Sequence, residues 1–237
     1  RAPGLPAVPR RRKLADRPSV DEDRLKRLHK DSTHEFFVNL PDRMDGYVGK
    51  SSLHELRVSI DPAHGGSEAG GKENSLLQEK SVNLTLGREL TRLLESRGVE
   101  VYLLRDSDAA MSQYERTETA NAWGPDIHIC LHHSSSVSDK AQGAATYYFA
   151  NRVYQCKTGK RLAGYIVDAL CRELGRVDLR KHGRNYACLR EVKPLAVMVE
   201  PGYLSHPEEG PTLADPAVIS REASAILHGI EAYLARR

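Results

Sequence analysis

The sequence predicts a three-layer α/β domain, a mostly parallel twisted sheet of about six strands with helices on both faces. Three observations carry that expectation. From Arg57 onward, short apolar runs alternate with longer stretches of helical period. His64, His132 and Glu200 each follow closely on one of those runs. Capping and turn residues fall where such elements have to begin and end.

Val58-Ser59-Ile60 reads as the first strand, ending at Asp61-Pro62 because proline cannot donate to the ladder. A loop with Gly65, Gly66, Gly70 and Gly71 follows. Val82, Leu86, Leu90 and Leu93 then recur at helical spacing, and Gly98 stands just past Arg97 as a left-handed cap, which predicts a helix of about four turns. Val99 to Leu103 and Ile127 to Leu131 read as strands. Between them Ser112-Gln113-Tyr114-Glu115 has the spacing of a capping box and opens a second helix. Thr146 to Phe149 gives a fourth strand, Lys160 to Leu174 a helix with Leu162, Ile166 and Leu170 on one face, and Ala187 to Leu189 and Ala196 to Val199 two more strands. In the last helix Asp215 is the N-cap, Pro216 the first helical residue, and Ile219, Ile226, Ile230 and Tyr233 the apolar stripe.

With 237 residues and 40% hydrophobic content the chain can bury a sizeable core. We expect one domain over residues 57–237, preceded by a basic linker and extension over residues 1–56. Residues 1–57 carry 13 Lys+Arg against 9 Asp+Glu, while the remainder carries 22 against 23. The run Arg10-Arg11-Arg12-Lys13 reads as solvated linker, and no nucleic-acid partner is expected. Phe36-Phe37-Val38 and Tyr47-Val48 suffice for a short packed arm only. No apolar stretch is long enough to span a bilayer, no secretion signal is visible, and the start at Arg1 reads as a processed or excised piece. Cys130, Cys156, Cys171 and Cys188 form no C-x-x-C pair, so buried free thiols are the default expectation rather than a cysteine-rich zinc site, and in an exported protein three disulfide connectivities stay open.

In open α/β sheets, loops beyond the carboxyl ends of parallel strands build the ligand crevice, so His64, His132 and Glu200 can converge there. Glu79, at the mouth of the first long helix, can be brought back to them by the Gly-rich loop. Two imidazoles and a carboxylate are a catalytic zinc ligand set with one position left for water, and a second carboxylate nearby would act as a base. Each residue also has a plainer reading. His64 could be a turn residue, and a glutamate in a first helical turn is favoured by the macrodipole without any metal. His133 competes with His132 on the opposite strand face. Glu200 could pair with Arg190 or Arg184. His128 reads as a core histidine, and Arg105 and Arg116 as loop-orienting residues acting through carboxylates such as Asp106 or Asp108.

Four segments add specificity: Ile60-Asp61-Pro62-Ala63-His64-Gly65-Gly66, Gln78-Glu79-Lys80, Ile129-Cys130-Leu131-His132 and Val199-Glu200-Pro201-Gly202-Tyr203-Leu204-Ser205. In this order they resemble the motifs of the N-acetylmuramoyl-L-alanine amidase family of zinc peptidoglycan hydrolases, in its type 3 catalytic domain, over residues 57–234. Arg105-Asp106-Ser107-Asp108, Arg116 with Ala120-Asn121, and Leu189-Arg190 before Pro194 support the resemblance. His182-Gly183-Arg184 and Tyr203-Leu204-Ser205 resemble actinobacterial members. The chain departs from the usual pattern at Ala63, His133 and Ser134.

The resemblance implies that His64, Glu79 and His132 bind one Zn2+ per chain and that Glu200 is the catalytic carboxylate. It further implies cleavage of the amide between N-acetylmuramic acid and L-alanine, a peptidoglycan or muropeptide substrate, and a location in the cell envelope or outside the cell. An envelope-associated regulator is a further expected partner. Two alternatives remain at this point: a catalytically silent muropeptide-binding or regulatory homologue, and a zinc peptidase acting within the stem peptide. Only ten residues lie between His132 and Gly143, too few for an autoinhibitory helix, so an open cleft is expected.

Overall fold

A computed structural model describes residues 50–71 and 75–236. The expectations for Arg10 to Lys13, Phe36 to Val38 and Tyr47-Val48 lie outside the described residues. Among the described residues a 3-10 turn (Leu53–Glu55) is followed by six strands and six α-helices, in the order β1 (Arg57–Pro62), α1 (Glu79–Ser96), β2 (Glu100–Leu103), α2 (Gln113–Trp123), β3 (Ile127–Leu131), β4 (Ala144–Phe149), α3 (Lys157–Leu174), β5 (Asp178–Arg184), α4 (Ala187–Arg190), β6 (Leu195–Glu200), α5 (Glu209–Thr212) and α6 (Pro216–Ala235). The sheet order is β2-β1-β3-β6-β4-β5. Its pairings are parallel except that between β4 and β6, so the three-layer, mostly parallel α/β expectation holds.

Local rules account for most elements. α1 buries Val82, Leu86, Leu90 and Leu94, one turn apart, and Gly98 follows it in the left-handed region at φ 81°. At 18 residues it is longer than expected, and its stripe ends on Leu94 rather than Leu93. Ser112 and Glu115 close their capping box on α2, and Asp215 accepts from the Ala217 amide ahead of Pro216. Cys130, Cys156 and Cys188 are buried free thiols, and Cys171 is free but half-buried.

Two expectations need correction. Ala187 to Leu189 is not a strand but the helical turn α4, which buries Cys188 and Leu189 against β6. A three-residue apolar run carries no period long enough to separate the two states. The strand at that point in the chain is instead β5, a parallel edge partner of β4. Its sequence, Asp178 to Arg184, is charged because most of its side chains are exposed, so only its main-chain ladder marks it as a strand.

The main core is a cluster between the sheet and the helices α1, α3 and α6, to which Leu56 belongs, and a small second cluster joins Val82, Leu204 and Leu213. α3 and α6 approach so closely that a Cβ added at Gly229 would lie 2.6 Å from the Ile166 Cα. Gly229→Val therefore forces backbone apart in a dense interior, and we expect it to destabilise the fold by about 1–3 kcal/mol. Urea denaturation measures this, and an unchanged midpoint would refute the close approach.

Candidate metal centre

The site lies beyond the carboxyl ends of β1, β3 and β6. At the end of β1 the chain turns into the loop that carries His64, whose φ of 64° lies in the left-handed region seldom used by residues with a Cβ. Two arginines hold that turn. The Arg116 guanidinium donates to the Asp61 carboxylate, to the carbonyls of Pro62 at 2.9 Å and His64 at 2.6 Å, and through Nε to Met111 at 3.0 Å. Arg105 donates to the carbonyls of Pro62, Ala63, Lys80 and Ser107. Both orient the loop as expected, but not through Asp106 or Asp108. Asp106 pairs with Arg88, while Asp108 binds Lys80 and the Gly66 amide. The arginine partners are main-chain carbonyls and the buried Asp61, which carry no sequence signature.

Glu79 is the first residue of α1, where Gln78 supplies no side-chain cap, so its carboxylate sits at the positive end of the helix. It also accepts from the amides of Gly71 at 2.7 Å and His133 at 3.1 Å. Glu79 Oε2 lies 3.2 Å from His64 Nε2, and Glu79 Oε1 lies 2.9 Å from His132 Nδ1. The two imidazole rings meet edge to face at 5.1 Å. One donor atom from each of the three residues falls within 4.8 Å of the others. Ligands at about 2.0–2.1 Å from a tetrahedral ion stand roughly 3.3 Å apart, so this donor set could hold zinc. His64 Nδ1 faces Glu68 Oε1 at 2.9 Å, the carboxylate contact that commonly orients a ligating imidazole. A Cβ on Gly70 would fall 2.5 Å from His64 Cδ2 and 2.6 Å from Glu79 Oε2, so a side chain there would fill the site.

The charges within the cluster support one another. Burial works against the Glu79 carboxylate, but hydrogen bonds from His132 and His64 and their charge outweigh it and hold the group well below the usual carboxylate range. Burial likewise depresses the His64 imidazole, yet Glu79 and then Glu68 more than offset it and leave His64 above its ordinary value.

The structure brings His132, not His133, to this cluster. His132 continues the sheet, its amide bonded to the Val199 carbonyl, while His133 points the other way and meets Asn83 Oδ1 at 2.8 Å. His128 is a core residue bonded to the Ser59 hydroxyl at 2.8 Å. Glu200 ends β6, next to the strand that delivers His132. Its partners are the Tyr147 hydroxyl, which donates at 2.9 Å, and Ser134, rather than Arg190 or Arg184. Burial pushes the Glu200 carboxyl up; Tyr147, the charge of His132 and Ser134 pull it down, Glu79 adds to the rise, and the balance is raised. Tyr147 and Glu68 were not singled out in the sequence. Glu68 stands four residues after His64 and could have been noticed, whereas Tyr147 meets Glu200 only through the antiparallel pairing of β4 with β6. No helix lies between β3 and β4, in keeping with the short connection.

Residues 58–232, most of the chain, match the family described as N-acetylmuramoyl-L-alanine amidase. The chain belongs to this family. It is 29% identical over 198 residues to the probable cell wall amidase LytH of Staphylococcus saprophyticus, a match covering 83% of this chain and 64% of that protein. The chain thus spans under two thirds of that relative's length. The catalytic domain of the amidase CwlV from Bacillus (Paenibacillus) polymyxa superposes with a TM-score of 0.69 at 27% identity, covering 77% of this chain and 99% of that one. The N-acetylmuramoyl-L-alanine amidase of Clostridium difficile 630 gives 0.71 at 25% identity, covering 79% and 100%.

The Arg116–Asp61 pair is almost inaccessible, with side chains 6% and 1% exposed. Arg116→Met strands a buried carboxylate and should cost about 3–5 kcal/mol in denaturant unfolding. A loss below about 1 kcal/mol, the range of exposed pairs, would show that the pair does not anchor the His64 turn.

Proposed function

We propose that this amidase-family chain hydrolyses the amide between the lactyl group of N-acetylmuramic acid and the L-alanine of the peptidoglycan stem peptide. In this reading His64, Glu79 and His132 hold one zinc ion and Glu200 is the catalytic carboxylate. The observation that carries it is the convergence of two imidazoles and a carboxylate within 4.8 Å, beside the half-buried Glu200 carboxylate, whose hydrogen-bond partners are the neutral hydroxyls of Tyr147 and Ser134. Zinc would supply Lewis acidity at this position, polarising a carbonyl and bringing the pKa of water to about 7.

The chain's own groups do the rest. Glu200 accepts the proton of the water that attacks the scissile carbonyl and returns it to the departing L-alanine nitrogen, since amide cleavage needs both transfers. Tyr147 fixes the Glu200 carboxylate from one side and favours its charged form. Glu68 fixes His64, and the Gly71 and His133 amides fix Glu79. A cell-wall substrate assigns the protein to the envelope or the space outside it. Among the described residues no helix is long and apolar enough to cross a membrane.

Elemental analysis together with digestion of purified sacculi tests this reading. About one zinc per chain, lost in His64→Ala, and products bearing a free L-alanine amine with an intact lactyl carboxylate are expected. Metal-free protein that only binds muropeptide, or products cut inside the stem peptide, would overturn it. Glu200→Gln should retain zinc and lose about 10²–10⁴-fold in kcat, the usual contribution of a positioned acid or base; retained turnover would remove Glu200 from the role.

The pH profile gives an independent check. A base works only when deprotonated, so activity should fall on the acid side as Glu200 is protonated. The Tyr147 hydroxyl stabilises the charged form, so its removal raises the Glu200 pKa. Tyr147→Phe should therefore shift the acid limb of kcat to higher pH. A limb that stays put or moves to lower pH would contradict the assignment.

A further inference from the structure

We propose that Arg176 and Glu222 are positioning residues that couple the two halves of the site from behind, an inference that rests on the amidase reading. Behind the cluster a chain of polar groups runs through the core, joined by hydrogen bonds and ion pairs except between His133 and Glu222, which approach each other without a hydrogen bond. Asn83 donates to Glu79 Oε1 at 3.4 Å and accepts from His133 Nδ1 at 2.8 Å. His133 Nε2 faces Glu222 Oε2 at 3.6 Å. Arg176 then divides its guanidinium, Nη2 reaching Glu222 Oε1 at 3.4 Å and Nη1 reaching Glu209 Oε2 at 2.9 Å. Glu209 Oε1 accepts the amide of Tyr203, three residues past Glu200, and that of Gly143 at 3.5 Å. One end of the chain is therefore Glu79 and the other is the segment that carries Glu200.

Position and burial argue against a purely stabilising role. Glu222 and the His133 side chain are wholly inaccessible, and Glu222 interrupts the apolar stripe of Ile219, Ala223, Ile226 and Ile230 on α6. Buried ion networks can often be replaced by apolar side chains with neutral or favourable effect on stability. Arg176 joins Glu209 of α5 to Glu222 of α6, and its planar fork can hold two carboxylates at once in fixed geometry. A Cβ at Gly202 would lie 2.8 Å from Glu209 Oε1, so the Glu200 segment rests directly on this carboxylate. Groups that orient metal ligands from outside typically control affinity or rate by 10–100-fold.

The test replaces the whole ion network, Arg176→Met/Glu209→Gln/Glu222→Leu in the full chain, so that no buried carboxylate is left unpaired and the amide carbonyl introduced at position 209 can still accept the Tyr203 amide, followed by three measurements. We expect a melting temperature no lower than wild type, zinc affinity in chelator competition weakened on the order of tenfold, and kcat on sacculi lowered on the order of tenfold with KM within twofold. A stable variant whose zinc affinity and kcat both stay within twofold of wild type overturns the proposal. If that variant fails to fold, Arg176→Lys keeps the charge without the fork and should shift zinc affinity and kcat in the same directions; wild-type values for both would overturn the proposal. Wild-type protein inactive on sacculi would sink the amidase reading instead, and the zinc measurement would still decide the coupling.

Discussion

The buried ion pair between Asp61 and Arg116 is the constraint from which the rest of the site follows. A non-glycine residue in the left-handed region is strained by roughly 1–3 kcal/mol and persists only where its surroundings over-determine it. His64 is such a residue, and Arg116 binds the chain at Asp61 and Pro62 before the turn and at the His64 carbonyl itself. Arg105 adds three carbonyls of the same neighbourhood, including that of Lys80 next to Glu79. The β1 end, the His64 loop and the mouth of α1 are thereby fixed as one unit by two arginines from farther along the chain.

Glu79 shows how that unit sets the electrostatics. A carboxylate this deeply buried would ordinarily be pushed toward its neutral form, yet here it is held charged by two imidazoles, two amides and the helix end. The same geometry raises His64. Protons on the imidazoles and a cation between them are therefore alternatives, because both neutralise the same carboxylate and both require the same nitrogens. Glu200 stands outside that competition. Its partners are neutral hydroxyls, and burial keeps its carboxyl raised, nearer the range in which a group can both take and release a proton.

What was legible in the sequence was what local rules govern. The capping box at Ser112, the Asp215-Pro216 start of α6 and the four-residue period of α1 all involve residues within one or two turns, and all occur as expected. β5 and α4 were misread because an exposed edge strand loses its apolar alternation and a four-residue helix has too little sequence to show a period. His64, His132 and Glu200 were visible because crevices form at strand ends. Glu79 was reachable from its place at the mouth of a helix behind a Gly-rich loop, but only the family resemblance favoured ligation, since a glutamate opening a helix is favoured with or without a metal. Arg116 with Asp61 and His133 with Glu222 were illegible for a different reason: each joins residues more than fifty positions apart, and only the sheet order makes them neighbours.

The adjacent histidines tie site and core to a single variable, the register of β3. Ile127 pairs with Leu195 and Leu131 with Val199, so His132 emerges beside Glu200 while His133 turns toward Asn83 and Glu222. Because strand side chains alternate, a slip of one residue would present His133 to Glu79 and drive His132 into the core. The surroundings of His133 oppose that slip: Asn83 and Glu222 offer hydrogen-bonding and charged partners on the buried face, and a slip that carried His133 to the crevice would leave them facing the shorter Ser134 instead. The second histidine of the pair thus helps determine which imidazole reaches the crevice, and its distinctness from the first is a matter of pleat geometry rather than of chemistry.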